Sequence, residues 1–300
     1  VQVGSDSSAL SLNTWYMIEL KLDASSSPGS IEGKLNGTSF ASGANSSQGT
    51  WGRILWGVIA PNSTADIYFD DVALNDNSGS FQNGYPGDGH ILHLKPNANG
   101  DNSDWFRGTG SADLYTYIDE VTPNNNTSSD YIGSGTTGQI TDVNIEASGL
   151  TSDTINVVMV GMRASGTNTT NKGIQLRIKA SSGGTVENSA TVQPTSNSFF
   201  THQPAEPYLY PLTLYDLPGA STTAWTSSDL DNAQIGVECV NGTGSANVLV
   251  STLWLSVDYT PTAGTSDNTN VNFEITGKDT ATNNTNFEIT GKSSINNDIN

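Results

Sequence analysis

The sequence predicts an all-β protein, built from two β-sandwich or jelly-roll modules, the first truncated, and a C-terminal strand-repeat tail. Short runs in which apolar and polar residues alternate recur along the 300 residues, and turn-forming clusters rich in Gly, Asn, Ser and Pro separate them. Charged residues make up only 14% of the chain, and the good helix formers are scarce, so long helices are disfavoured.

The first segment, residues 1–78, carries the pattern of a partial β-sandwich. Ile18, Leu20 and Leu22 alternate with polar residues and therefore share one face of a predicted strand. A second strand ends at Asn36-Gly37, the sequence signature of a type I′ hairpin turn. Two further apolar strands are predicted over Trp51–Ile59 and Ala65–Leu74.

The second segment, residues 79–260, is also rich in strand patterns, and their short, regular spacing favours a second β-sandwich of jelly-roll type. One short helical turn is predicted, at Ser228–Asp231 or at Leu114–Tyr115. Strands are predicted within residues 89–96, 143–147, 155–162, 173–179, 207–212, 233–238 and 251–259.

The third segment, residues 261–300, is a tail rich in Asn and Thr. It contains the heptapeptide NFEITGK twice, at Asn272–Lys278 and Asn286–Lys292, with a period of 14 residues. Each copy predicts a short strand that cannot bury a core alone. We expect these strands to pair with another subunit or with a neighbouring module; the alternative is a flexible linker.

Charge and composition exclude several classes of function. The formal net charge of −19 disfavours binding to nucleic acids or to anionic membranes, since both depend on Lys and Arg. No apolar run approaches the length of a membrane span. Cys239, the single cysteine, lies in an alternating run, which predicts a small buried side chain. Because the chain does not begin with Met, we expect that it starts inside a longer gene product or after processing.

Two groups of motifs carry a resemblance to a known family. Tyr68–Asp76, followed by Tyr85-Pro86-Gly87-Asp88-Gly89, resembles the end of the concanavalin A-like (LamG-like) module of bacteriophage and prophage structural proteins. Trp105, Tyr117–Pro123, Thr127–Ile132 and Trp225–Val237 resemble parts of the β domain that follows that module in the same proteins. The resemblance covers about residues 15–260, but only the second half of a LamG-like module precedes Asp71.

Few residues stand out as candidate ligands, and none stands out as catalytic. Asp70 and Asp71 are adjacent carboxylates at a predicted strand end, where such a pair can bind Ca²⁺ in lectin-like sandwiches. His90 and His93 point to opposite strand faces, a poor geometry for a shared metal. The aromatic candidates for sugar binding are Tyr208, Tyr210 and Trp56, although core packing is the favoured interpretation of such residues. The acids Glu19, Glu32, Asp119 and Glu120 lie in no glycosidase motif.

The resemblance implies an exterior structural protein of a tailed bacteriophage particle: a capsid decoration, a head fibre or a tail-associated protein. Such a protein is expected at the virion surface, in contact with other virion proteins and with copies of itself, and it is not expected to be an enzyme. One alternative is an extracellular carbohydrate-binding adhesin that attaches to a host-surface glycan. A second alternative is a subunit of a secreted extracellular filament.

Overall fold

A computed structural model of the chain describes ten stretches: residues 4–23, 28–45, 67–72, 84–108, 110–120, 130–166, 173–194, 198–202, 212–241 and 247–262. The predicted all-β class is confirmed, since almost all regular structure in these stretches is β-strand in antiparallel sheets. Residues 1–261 form one compact unit and residues 262–300 a second. The predicted strand 51–59 and the repeats of the tail lie outside the described residues.

The N-terminal part contains a three-stranded antiparallel sheet in the order β1-β2-β3. Asn36 and Gly37 connect the last two strands, and both have positive φ, of 49° and 75°, as the predicted type I′ turn requires. Leu35 and Thr38 are paired directly across this turn. The strands are β1 (Ile18–Asp23), β2 (Gly29–Leu35) and β3 (Thr38–Asn45).

The predicted strand over residues 65–74 is not present in the part that the structure describes. Residues 67–72 form no strand, and Asp71 has a φ of +49°, which interrupts extended backbone. The alternating pattern here is instead part of an irregular segment, in which Ile67, Tyr68, Phe69 and Val72 are exposed.

Residues 90–260 contain two antiparallel sheets that pack face to face as a β-sandwich. The five-stranded sheet has the order β11-β10-β14-β8-β5, and the larger sheet has the order β12-β9-β15-β7-β6, with β13 paired to β9 and β4 paired to β15. The strands are β4 (His90–Leu94), β5 (Pro96–Ser103), β6 (Phe106–Arg107), β7 (Ile132–Ser134), β8 (Ile140–Ile145), β9 (Thr154–Gly166), β10 (Gly173–Lys179), β11 (Glu187–Asn188), β12 (Phe200–His202), β13 (Leu212–Leu214), β14 (Gln234–Asn241) and β15 (Val248–Thr260).

A single hydrophobic core fills the space between these two sheets, because alternate residues of each strand point inward. The five-stranded sheet contributes Ile174, Leu176 and Ile178 from β10, and β14 contributes Ile235, Val237 and Cys239. The larger sheet contributes the inward residues of β9 and β15, two strands of 13 residues paired along most of their length. The prediction that Cys239 is a small buried side chain is confirmed.

Two short helical turns complete the core, and both of the predicted positions are occupied. A 3₁₀ turn at Leu114–Tyr117 buries Leu114, and α1 at Ser227–Asp231 buries Leu230. Thr226 and Asp229 form a capping box, in which each side chain accepts a hydrogen bond from the other residue's backbone N–H.

Candidate functional site

The Tyr-Pro-Gly turn singled out in the sequence contacts the polar face of the N-terminal sheet. The Tyr85 hydroxyl donates to Glu32 Oε2 at 2.7 Å, and the Gly87 N–H donates to Glu19 Oε1 at 3.0 Å. Lys34 Nζ lies 3.5 Å from the centroid of the Tyr85 ring, in cation–π contact. Glu19 and Glu32, considered above as acids for glycoside hydrolysis, therefore serve to attach this turn to the sheet.

The carboxylate of Asp71, one of the two candidate calcium ligands, is engaged by the start of β4. Asp71 Oδ1 accepts a hydrogen bond of 2.8 Å from the Ile91 N–H, and Oδ2 lies 3.0 Å from His90 Nδ1. Asp70 Oδ1 accepts from the Asp71 N–H at 2.9 Å. Across the described stretches, no three His, Cys, Asp or Glu side chains converge as a metal site. Calcium binding by Asp70 and Asp71 stays a prediction.

The two histidines of β4 lie on opposite faces, as their spacing predicts, and each packs against an aromatic ring of β15. His90 stacks on Tyr259 with ring centroids 5.6 Å apart, and His93 stacks on Trp254 at 5.9 Å. Burial lowers the pKa of His93. Trp254 is only 6% exposed, because its indole lies against β9 where Gly161 has no side chain. Trp254 therefore exposes too little of its ring for stacking on a sugar.

The candidate sugar-binding residues Tyr208, Tyr210 and Trp56 lie outside the described residues. The chain segment that contains the two tyrosines leads in sequence to β13, and β13 lines a cleft of about 370 Å³. This cleft lies between β13 and β11, the edge strand of the five-stranded sheet. Its lining consists of residues 187–190, residues 212–217 and Ala220.

The cleft combines an aromatic ring with carboxylates. Tyr215 is 36% exposed, and Asp216 and Glu187 lie beside it in the lining. Glu187 Oε2 accepts a hydrogen bond of 3.3 Å from the Gly219 N–H. Exposed rings and carboxylates are the groups that bind sugar faces and sugar hydroxyls, so the arrangement is compatible with a carbohydrate ligand. Sequence reasoning favoured Tyr208 and Tyr210, a few residues earlier in the chain, over Tyr215.

A buried network of charged side chains on the outward face of the five-stranded sheet was not predicted. Asp142, 1% exposed, lies at its centre. Its Oδ1 accepts from Arg177 Nε at 3.0 Å, and its Oδ2 accepts from Lys179 Nζ at 3.0 Å and from Asn102 Nδ2 at 2.5 Å. Glu238 lies 3.3 Å from the Arg177 Nη1 at the exposed side of the network.

Asp101 extends this network from β5 to the turn after β10. Its carboxylate accepts hydrogen bonds from Lys179 Nζ at 2.7 Å, Ser182 Oγ at 2.6 Å and the Gly183 N–H at 2.7 Å. These donors, the Lys179 ammonium above all, hold the pKa of Asp101 well below its usual range. The carboxylates of Asp142 and Asp101 are thus both occupied by protein donors, and the network fastens β5 to the sheet. Its members come from four strands, so no local motif reveals it.

The pKa of Glu120 lies well above the ordinary value for a glutamate. Burial raises its pKa to about 7, and a hydrogen bond with Asp130 and the charges of Asp130 and Asp119 contribute. Glu120 Oε2 is buried and has no hydrogen-bond partner in the structure. A protonated Glu120 can donate a hydrogen bond to Asp130, which makes the pair a pH-sensitive contact at the end of the 3₁₀ turn.

Exposed apolar side chains are concentrated in the N-terminal part. Of the eleven large hydrophobic side chains that are exposed among the described residues, nine belong to residues 10–72. They are Leu10, Leu12, Trp15, Ile18, Leu20, Ile67, Tyr68, Phe69 and Val72, and the exposed fractions of Leu12 and Tyr68 are 90% and 76%.

Neither a scan against protein-family models nor a search of curated proteins found a match to this chain. Among the residues that the structure describes, none of the helices is long and apolar enough to cross a membrane.

Proposed function

We propose that this protein is an exterior structural component of a tailed bacteriophage particle and acts by assembling with other virion proteins and with copies of itself. The observation that carries the proposal is the uneven distribution of exposed apolar surface. The sandwich of residues 90–260 buries its core, whereas the N-terminal part leaves nine large hydrophobic side chains exposed. Surface of this kind is suited to contact with protein.

Three further features support an assembly role. The resemblance to phage structural proteins rests in part on the Tyr-Pro-Gly turn, and this turn joins the N-terminal sheet to the sandwich through Glu19 and Glu32. The net charge of −19 favours solubility on a crowded exterior surface. Asp142 and Asp101, the acids of the buried charged network on the five-stranded sheet, are paired with cations or backbone donors. Such pairing suits a binding role better than catalysis.

Particle labelling tests this proposal directly. An antibody against the purified chain is applied to phage or prophage particles from the strain that encodes it, with immunogold detection by electron microscopy. We expect gold on the exterior of heads or tails, and peptides of the chain in gradient-purified particles. Peptides found only in the envelope fraction or in filaments without particles would refute the virion assignment and support the filament alternative.

A carbohydrate-binding adhesin is the second candidate, and the cleft between β11 and β13 favours it. Tyr215, Asp216 and Glu187 place a ring and two carboxylates along about 370 Å³ of open volume. A glycan array tests it, with Tyr215→Ala as the site variant and Phe106→Ala, an exposed ring elsewhere on the sandwich, as the matched control. Binding that is lost in Tyr215→Ala alone supports the adhesin; an array without hits counts against it.

A further inference from the structure

We propose that the cleft between β11 and β13 binds a sugar that carries a protonated amine, such as a glucosamine unit of a cell-surface polysaccharide. The inference deepens the second candidate function, the carbohydrate-binding adhesin, and rests on it. Its test compares two sugars that differ in the charge of one kind of group. A wrong ligand class can therefore be told apart from the absence of sugar binding.

The cleft lies at an open edge of the sandwich, where the two sheets end side by side. Among the described strands, β11 pairs only with β10 and β13 pairs only with β9, so both are edge strands. Leu212 and Leu214 of β13 belong to the hydrophobic core and also line the cleft. The cleft therefore has an apolar floor that continues the core to the surface.

The strand register places an acid where a core residue is expected. Glu187 is directly opposite Ile178 in the antiparallel pair of β10 and β11, and residues paired in this way share a face of the sheet. Ile178 is fully buried in the core. Glu187 thus occupies an inward-facing position, at which alternation favours an apolar side chain. Because β11 is the edge strand, Glu187 is exposed and lines the cleft.

A second carboxylate lines the opposite wall, and the walls are joined at one end. Asp216 begins a hairpin that returns to it through a β-bridge with Ala224. The turn of this hairpin contacts the start of β11: the Gly219 N–H donates to Glu187 Oε2, and a Cβ on Gly219 would lie 2.7 Å from Thr185 Cγ2. These contacts hold the cleft in shape without a ligand, which lowers the entropic cost of binding.

The charge of the cleft favours a cationic ligand. Glu187 and Asp216 are acids, and the described lining residues include no Lys, Arg or His. Within the described stretches, no cationic side chain lies within ion-pair distance of either carboxylate. Asp142 and Asp101 differ in this respect, since both contact Lys179. A protonated amine would supply the missing counter-charge, whereas a uronic or sialic acid would be repelled.

The other groups of the lining suit a sugar better than a simple alkylamine. Tyr215 offers a partly exposed ring, against which the C–H face of a pyranose can pack. Asn188 and Thr213 add groups that donate to or accept from hydroxyls. The volume of about 370 Å³ lies near the lower end of the range of about 300–1,000 Å³ for small-molecule sites. A mono- or disaccharide fits this size.

Isothermal titration calorimetry on the full chain tests the proposal with the trisaccharide of glucosamine and the trisaccharide of N-acetylglucosamine, at mildly acidic pH. We expect the glucosamine form to bind about fivefold more tightly or better, because only its amines are charged. Glu187→Gln and Asp216→Asn should each weaken its binding about fivefold. Asp88→Asn removes the same charge from an exposed turn before β4 and is the matched control, with unchanged binding. Thermal unfolding establishes that all three variants are folded.

The control separates a site from general attraction to an acidic chain. The net charge of −19 attracts amines without a site, and such binding would be the same in all three variants. Amine binding that Glu187→Gln and Asp216→Asn leave unchanged therefore overturns the proposal. Equal binding of the two sugars that is lost in Tyr215→Ala overturns the amine preference and keeps the adhesin. A chain that binds neither sugar overturns both, and particle labelling tests the virion assignment independently.

Discussion

Tyr85 and Glu32, 53 residues apart in sequence, are joined by a hydrogen bond of 2.7 Å from the phenol to the carboxylate. Burial, and then the hydrogen bond to Glu32 and its charge, raise the pKa of Tyr85 to about 12, while the same hydrogen bond lowers the pKa of Glu32. The contact attaches the turn before β4 to the charged face of the N-terminal sheet.

Replacing Tyr85 by Phe is expected to loosen this attachment while keeping the ring over Lys34. The loss of one partly buried hydrogen bond corresponds to about 1 kcal/mol. We expect faster hydrogen exchange at the Gly87 N–H, which donates to Glu19 beside it. An unchanged exchange rate in Tyr85→Phe would show that the bond does not hold the turn.

The same contact is expected to weaken at alkaline pH. The folded pKa of about 12 lies above the ordinary value of 10 for a phenol, so the neutral form is favoured in the folded state. Its contribution is complete below about pH 10 and is lost as the pH rises through about 12. Absorbance titration checks this: the last phenol to ionise should be missing from Tyr85→Phe.

Replacing Asp142 by Asn is expected to destabilise the sandwich strongly. The change leaves Arg177 and Lys179 buried without the carboxylate that both contact, for which the expected cost is about 3–5 kcal/mol. Glu238→Gln is the matched control, because Glu238 contacts the same Arg177 from a more exposed position and should cost under about 1 kcal/mol. Urea denaturation measures both, and equal midpoints would contradict the central role of Asp142.

Replacing Gly161 by Ala is expected to displace the indole of Trp254. The added Cβ would lie 2.3 Å from Trp254 Cε2, and overpacking of this kind costs about 1–3 kcal/mol. In a folded unit of about 150–250 residues, each kcal/mol of destabilisation lowers the melting temperature by roughly 2–4 °C. The melting temperature should therefore fall by several degrees. Ser256→Ala, on the same strand as Trp254, should change it little.

Deprotonation of Glu120 is expected to reduce stability as the pH approaches neutrality. Its folded pKa of about 7 lies above the value of 4.5 for a free glutamate, so its contribution is complete below about pH 4.5 and is lost as the pH rises through about 7. Because the group is only partly buried, we expect a fall in the free energy of unfolding on the order of 1 kcal/mol. Denaturation at several pH values should show that the free energy of unfolding changes less with pH in Glu120→Gln than in the unmodified chain. Parallel pH profiles for the two chains would rule out this contribution.

Local pattern was sufficient to predict several of the strands, one hairpin turn and the positions of two helical turns. Period-two alternation located β1, β10 and β15, and the Asn36-Gly37 pair fixed a hairpin whose two residues both have positive φ. Alternation failed at residues 67–72, where the backbone of Asp71 leaves the extended region. Asp71 alone, because its φ is incompatible with a β-strand, interrupts a strand that the hydrophobicity of the side chains predicts.

Candidate sites were harder to predict, because they depend on contacts between distant residues. Asp70 and Asp71 were chosen as adjacent oxygen ligands, yet Asp71 contacts His90 and Ile91, about 20 residues later in the chain. Asp142, Arg177 and Lys179 were not chosen, since each is an ordinary charged residue in its own strand. Only strand pairing brings the Arg177 and Lys179 side chains within 3.0 Å of the Asp142 carboxylate.

The sequence by itself determined the all-β class and which side chains share a face, because alternation along a strand is a property of the extended backbone. Only the tertiary structure decided which face of each strand is covered. In the N-terminal sheet the Tyr85 turn contacts the charged face, since Tyr85 and Gly87 offer hydrogen-bond donors to Glu32 and Glu19. Burial depends on what packs against a surface, and the packing partner lies far away in sequence.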